Sequence, residues 1–260
     1  MAAKIKELQV ECIEIRKSTS DVGELELLDK TEDKCKMCLH LLEKGQTPPA
    51  NKGMLYKLLL QYSQALLDAT YVLECRLVND DFPQDRSKEE IKHLIGRLGQ
   101  PEELVKEIFG PESKAGQVLS SEVMECLSWR RGALFYMYCH TLFNDPQRRQ
   151  LNTVHLMEKN VDAKNADMVH LLREGVFSDT HLLALMYAGE LCYWHWQIGK
   201  ETSTDLFARD MNESSATNFN PVSNGRRFLQ KFVDIVKESF KGKGWDSTRA
   251  EQIIAEFHGS

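Results

Sequence analysis

The sequence predicts an all-α fold: a single helical domain over residues 1–260. Two or three buried apolar helices are expected to be surrounded by amphipathic ones, with one long polar loop. Three observations predict it. Apolar residues recur at i, i+3, i+4 and i+7 along most of the chain, and no convincing strand pair is joined by a hairpin turn. Glycine (15) and proline (7) are scarce in 260 residues, which argues against a turn-rich sandwich. Hydrophobic residues make up 42% of the chain, enough for a sizeable core and too many for a disordered polymer.

The elements follow in order. Residues 3–16 place Ile5, Leu8, Cys12 and Ile15 at helical spacing, although the alternation Leu8, Val10, Cys12 also permits a strand. A second helix is expected from about Val22 to Lys44, with Gly45 as its stop signal. Residues 46–52 (QTPPANK) form a proline-broken linker. The next helix, Met54 to Val78, is long and strongly apolar, with Leu55, Leu58, Leu59, Tyr62, Leu66, Ala69, Leu73 and Leu77 on one broad face. Asn79 to Arg86 is an acidic loop. Ser87 is expected to cap a helix, with Glu90 in capping-box register, and that helix should end around Gly99. Pro101 then opens a short helix of its own, in the favoured first-turn position.

Gly110 to Gln117 is expected to be loop, and Ser120 or Ser121 to cap a helix that runs to about Phe143, where Asn144-Asp145-Pro146 breaks it. Residues 147–174 carry one or two weaker helices. Ser178 is expected to cap a second core helix, Thr180 to Ile198, stopped by Gly199. Residues 201–224 are polar with few aliphatics and are expected to form a flexible loop. Two helices, Arg226 to Phe240 and Ser247 to Phe257, complete the chain, and no internal repeat of fixed period is evident.

Charge and termini narrow the function classes. Lys plus Arg is 33 against 39 Asp plus Glu, a net charge of −6. That balance is not one for wrapping nucleic acid or anionic lipid. The N-terminal MAAKIKELQVECIEIRK has charges throughout, so no secretion signal is expected. The longest apolar runs, Ala133–Cys139 and Leu182–Ala188, are far shorter than a membrane span of roughly 18 residues. The expectation is a cytosolic chain with no direct membrane insertion. Its seven cysteines sit mostly inside apolar helical patterns, where a reduced thiol behaves as a small hydrophobe.

Candidate chemistry is sparse. Cys35-x-x-Cys38 with His40 invites a zinc site, but the second ligand pair that structural zinc needs is missing unless Cys192-x-x-His195 supplies it. Cys139 and His140 are neighbours on a helix, where adjacent residues do not face each other, so they cannot act as a dyad. No nucleophile elbow, metalloprotease motif or phosphate-binding loop is present. The expectation is no catalytic residue, no cofactor and no metal. Glu190, between two apolar runs, is expected to be a buried partner for an arginine such as Arg130 or Arg131.

Aromatic residues cluster on two helices. Trp129, Phe135, Tyr136 and Tyr138 lie on one, and Tyr187, Tyr193, Trp194 and Trp196 on the other. Most are expected in the core, since large apolar runs are usually buried. The same composition marks interface anchors. Trp129, Arg130, Arg131, Tyr138, Tyr193, Trp194 and Trp196 are therefore the candidate partner-binding residues, the first three standing where polarity changes.

Four blocks carry a family resemblance. They are Leu59–Val78 leading into Asp80-Asp81-Phe82-Pro83, Glu125–His140 (ECLSWRRGALFYMYCH), Gly175–Trp194 and Trp245–His258. The sequence resembles the Rab-seven-interacting subunit of the Mon–Ccz complex, the nucleotide exchange factor of late endosomes and autophagosomes. The resemblance implies a non-enzymatic adaptor with two partners, the Mon–Ccz heterodimer and the Rab-seven GTPase. It would control the stability and membrane recruitment of that GTPase in late endosomal traffic and in autophagy, including that of damaged mitochondria. The chain itself would be cytosolic and reach those membranes through its partners. The other classes are a small cytosolic enzyme using a Cys/His or metal site, and a helical scaffold for an unrelated partner.

Overall fold

The computed structural model describes residues 1–44, 52–145, 148, 179–202 and 220–259. All regular structure among them is helical: α1 (Ala2–Lys17), α2 (Val22–Lys44), α3 (Lys52–Asn79), α4 (Ser87–Phe109), α5 (Ala115–Leu119), α6 (Ser121–Asn144), α7 (Asp179–Thr202), α8 (Pro221–Glu238) and α9 (Thr248–His258). The all-α expectation holds. The linker expected at 46–52 lies outside the described residues except for Lys52, as do the weaker helices expected over 147–174 apart from Arg148, the Ser178 cap, and most of the loop at 201–224. The chain divides into two compact units, Met1–Leu134 and Phe135–Ser260, and α6 contributes its first part to one and its last part to the other.

In the first unit α3 is the central element, packing on α1, α2, α4 and α5. Its Leu58, Leu59, Tyr62, Ala65 and Leu66 are fully buried. Ile5, Leu8 and Cys12 of α1 and Leu28, Cys35 and Cys38 of α2 close the same core. α1 is a helix and not a strand: Ile5, Leu8, Cys12 and Ile15 are its buried side, and Val10, which suggested alternation, is exposed. A buried arginine links this core to α4. Arg97, 2% exposed, donates to Glu11 Oε2 of α1 at 2.8 Å and to Gln100 Oε1 at 3.2 Å, and Tyr62 donates to that same Gln100 oxygen at 2.6 Å.

Several boundaries differ from expectation. α4 does not stop at Gly99 but runs through Pro101 to Phe109. Proline removes one i→i−4 hydrogen bond, yet Ile91, Leu94, Leu98, Pro101, Leu104 and Val105 form one continuous buried face, and burying it outweighs one lost bond. The stop is Gly110, at φ 99°. Ser87 does not cap this helix: Arg86 holds the N-cap position, and the Ser87 hydroxyl is buried without a hydrogen-bond partner. Part of the loop expected over 110–117 belongs to the short α5. Ser120 does cap α6, accepting from the Val123 amide at 3.4 Å.

After α3, Asp81 and Phe82 take left-handed conformations (φ 50° and 51°), which turn Phe82 back beneath the helix. Its amide donates to the Leu77 carbonyl at 2.8 Å and its ring is 3% exposed.

The second unit packs α7 on α8 and α9. Glycines set the approach of α7 and α8. A Cβ on Gly189 would lie 2.3 Å from Leu229, and one on Gly225 would lie 2.9 Å from both Cys192 and Phe257. α7 does not stop at Gly199 but continues to Thr202. α8 begins at Pro221, five residues before the expected start, because Asn220 is its N-cap: the side chain accepts from the Ser223 amide at 2.9 Å and Pro221 takes the first turn. The last four residues of the loop expected over 201–224 are therefore helical.

Candidate partner-binding surface

In the first unit the candidate residues stand on α6, whose Leu127 is buried against Leu67 and Leu98. Successive residues on a helix are about 100° apart, so Arg130 and Arg131 reach different neighbours. Arg130 turns to α3. It grips Glu74 with two parallel bonds, Nε to Oε2 at 3.1 Å and Nη2 to Oε1 at 2.7 Å, and its Nη1 donates to the Leu67 carbonyl at 2.5 Å. Arg131 turns to α4, where Nη2 donates to Glu102 Oε1 at 2.6 Å. Trp129 is half-buried beside them. Glu74 is 8% exposed, and burial pushes its carboxyl above the ordinary 4.5, opposed by the Arg130 charge and hydrogen bonds.

Over this pair lies an open groove of about 410 Å³ between α2, α3 and α6. Leu27, Leu67 and Val123 line it together with Tyr71, Cys126 and Arg130. The Tyr71 side chain is 52% exposed, and the Arg130 guanidinium sits 5.5 Å from its ring centre. A second groove of about 650 Å³ opens at the α1–α2 turn. It is polar, and internal ion pairs fill its border: Arg76 with Glu24 at 2.7 Å and Arg86 with Asp80 at 2.8 Å.

In the second unit Tyr193 and Trp194 point opposite ways. Trp194 is 4% exposed and stacks between Tyr136 (5.3 Å) and Phe143 (5.4 Å) of α6. Tyr136 in turn stacks on Tyr187 at 3.7 Å. Tyr193, also 4% exposed, faces α9 and donates to Glu256 Oε2 at 2.6 Å. Burial, and then that carboxylate, push its hydroxyl up to about 12. Trp196 is half-buried, edge-on to Phe257 at 5.2 Å, with Lys200 Nζ 3.7 Å from its ring centre. Tyr138 is buried on α6.

One expectation about a polar group is overturned. Glu190 does not pair with Arg130 or Arg131. It accepts from the Tyr136 hydroxyl at 2.5 Å and faces Arg249 Nε at 3.8 Å. The two arginines are taken by Glu74 and Glu102, carboxylates that sequence inspection did not single out. Glu74 has one visible signal, a lone acid between Leu73 and the apolar end of α3.

The reactive-group candidates separate in space. Cys139 is 1% exposed whereas His140 is exposed and lies 3.0 Å from Asn144 Nδ2. Cys35 and Cys38 are fully buried whereas His40 is exposed. Burial pushes the Cys12 and Cys35 thiols up to about 12 and Cys38 up to about 11, away from the thiolate form that nucleophiles and metal ligands need. Among the described residues no group of three or more His, Cys, Asp or Glu could hold a metal ion. None of the helices described is long and apolar enough to cross a membrane.

The surface so described offers aromatic and arginine anchors, and the chain is similar to known proteins over most of its length. A family model described as "RAB7A-interacting MON1-CCZ1 complex subunit 1" matches residues 34–159 and 147–258. A human (Homo sapiens) protein of that name is 36% identical over 249 aligned positions, covering 83% of this chain and 81% of the relative. A zebrafish (Danio rerio) protein of that name is 32% identical over 275 positions, covering 97% and 94%. No solved structure matches. The chain belongs to the RAB7A-interacting MON1-CCZ1 complex subunit 1 family.

Proposed function

We propose that this chain is a non-enzymatic adaptor and regulatory subunit that associates with the MON1–CCZ1 heterodimer and with the RAB7A GTPase. It controls the stability and membrane recruitment of that GTPase in late endosomal traffic and autophagy, mitophagy included. The observation that carries this reading is family membership over most of the chain's length. The physical surroundings agree with it. Buried thiols with raised pKa values do not serve as nucleophiles. The chain is assigned to the cytosol and reaches late endosomal, autophagic or damaged mitochondrial membranes through its partners. Of the candidate residues, the half-buried Trp129 and Trp196 and the outer edge of Arg130 are the ones we assign to partner contact. Arg131 and the buried Tyr138, Tyr193 and Trp194 hold the helices that present them.

The test is capture by the full chain of RAB7A loaded with GTP or with GDP, alone and with MON1–CCZ1 present. Association with the heterodimer and with at least one nucleotide state is expected. No capture of either partner under any of these conditions refutes the adaptor role.

A further inference from the structure

Arg76, in the last turn of α3, fastens the corner between α1 and α2. Its Nη2 donates to Glu24 Oε2 of α2 at 2.7 Å and to the Ile15 carbonyl of α1 at 3.4 Å, and its Nε donates to the same Glu24 oxygen at 3.2 Å. Its Nη1 donates to the Ser18 hydroxyl at 2.8 Å. Ser18 follows α1 directly and is exposed, and its Oγ–H donates to the Ile15 carbonyl at 2.9 Å. The end of α1, the turn and the start of α2 thus converge on one guanidinium. That contact, more than any other, holds the Glu24 carboxyl below the ordinary 4.5.

Residues 18–21 lie outside the helices, and such turns open at the lowest cost. The Ser18 hydroxyl borders the polar groove of about 650 Å³, so a group added to it has room. A phosphoryl group there would bring a charge of about −1.5 to −2 and three acceptor oxygens. Arg76 is already in contact to receive them. The other cations nearby are engaged: Arg86 with Asp80 at 2.8 Å, Lys17 with Glu14 at 2.6 Å, and Arg16 with Asp29 at 2.6 Å and Glu32 at 2.9 Å. The rest of the setting repels a phosphate. Asp21, Glu24 and Glu90 line the same groove, and Ser18 stands at the negative end of the α1 dipole. The phosphate's one strong gain is therefore Arg76, the group that Glu24 needs.

We propose that Ser18 is a phosphorylation site whose phosphate releases the α1–α2 corner from α3, by drawing Arg76 away from Glu24 and repelling that carboxylate. The modification is phosphoryl transfer by a protein kinase from a nucleoside triphosphate. Ser18 Oγ loses its proton as it bonds to the γ-phosphorus, the bond from that phosphorus to the β–γ bridging oxygen breaks, and the nucleoside diphosphate leaves. One charge-assisted contact is gained, while the two-bond Arg76–Glu24 pair is lost and two like charges face each other across the turn. The device is independent of the proposed partners.

Two measurements test it. The full chain is isolated from cells with phosphatases inhibited and mapped by mass spectrometry, and phosphate is expected on Ser18. The full chain carrying phosphoserine in place of Ser18 is then compared with the unmodified chain by amide hydrogen exchange. Exchange in the last turn of α1 and the first turn of α2 is expected to rise by at least about tenfold, with α8 and α9 unchanged. Ser18→Ala keeps the Arg76–Glu24 pair and should exchange as wild type. Arg76→Gln should open the corner by itself, and phosphate on Ser18 should then add nothing. Ser18 found unmodified, or phosphate confined to Thr19 or Ser20, overturns the proposal. So does a phosphorylated chain whose corner exchanges no faster, or one in which phosphate still speeds exchange tenfold in the Arg76→Gln background.

Discussion

Replacing Gly189 by alanine isolates the close crossing of α7 and α8. An added Cβ would stand 2.3 Å from Leu229 Cδ2 and 2.4 Å from its Cγ. Leu229 is fully buried, so its branched end cannot swing into solvent. Either Leu229 leaves its rotamer or the two helices move apart by about 1 Å, and overpacking of this kind costs about 1–3 kcal/mol. Alanine returns about 0.5–1 kcal/mol of helix propensity, leaving a net loss of about 1–2 kcal/mol. Gly199, in the same helix, is the internal control: a Cβ there meets nothing within 4 Å, so Gly199→Ala keeps the propensity gain alone. The two variants should therefore differ by about 2 kcal/mol. That separates their melting temperatures by about 4–8 °C in a chain of this size. Thermal and urea unfolding followed by far-UV circular dichroism measure it. If Gly189→Ala is as stable as Gly199→Ala, the tight crossing does not limit the packing of this unit.

Three further outcomes are expected. Arg130→Met leaves the Glu74 carboxylate buried without its partner, at a cost of about 3–5 kcal/mol near neutral pH. Glu74 already titrates above 4.5 because of burial, so it stabilises the fold below its unfolded pKa and loses that contribution as pH rises through its folded value. The variant's deficit in urea unfolding should thus be larger at about pH 8 than at about pH 5; a deficit independent of pH counts against the pairing. Arg97→Met removes the link between α4 and Glu11 of α1, and amide exchange in α1 should accelerate while the second unit is unchanged. Alkylation of the folded chain should modify the exposed Cys126 before the fully buried Cys12, Cys35 and Cys38; equal rates would contradict their burial.

The site was only partly legible in the sequence. Arg130 stands out beside Trp129, but nothing in a linear string says that its fork closes on Glu74, 56 residues earlier. An ion pair is a property of two helices in register, and register follows from how Leu67, Leu98 and Leu127 interlock. Glu190 shows the same limit. Its need for a polar partner follows from its apolar neighbours, whereas the identity of that partner, the Tyr136 hydroxyl, follows from which faces of α6 and α7 meet. Tyr71 is hidden for a related reason: its spacing matches that of buried residues in α3, and only the paths of α2 and α6 leave it exposed.

The sequence by itself determined the helical class, the buried faces of α1 and α3 and the boundaries of α2. These depend on local spacing and on backbone chemistry within a few residues. The family resemblance was also carried by its own blocks of residues. The tertiary structure alone decided that α4 passes through Pro101, that Gly189 and Gly225 are required by packing, which carboxylate each arginine meets, and that Tyr71 of α3 stays exposed. Each of these is a balance between a local preference and burial against a distant segment. A preference worth about 1 kcal/mol per residue yields when a continuous apolar face is buried in return.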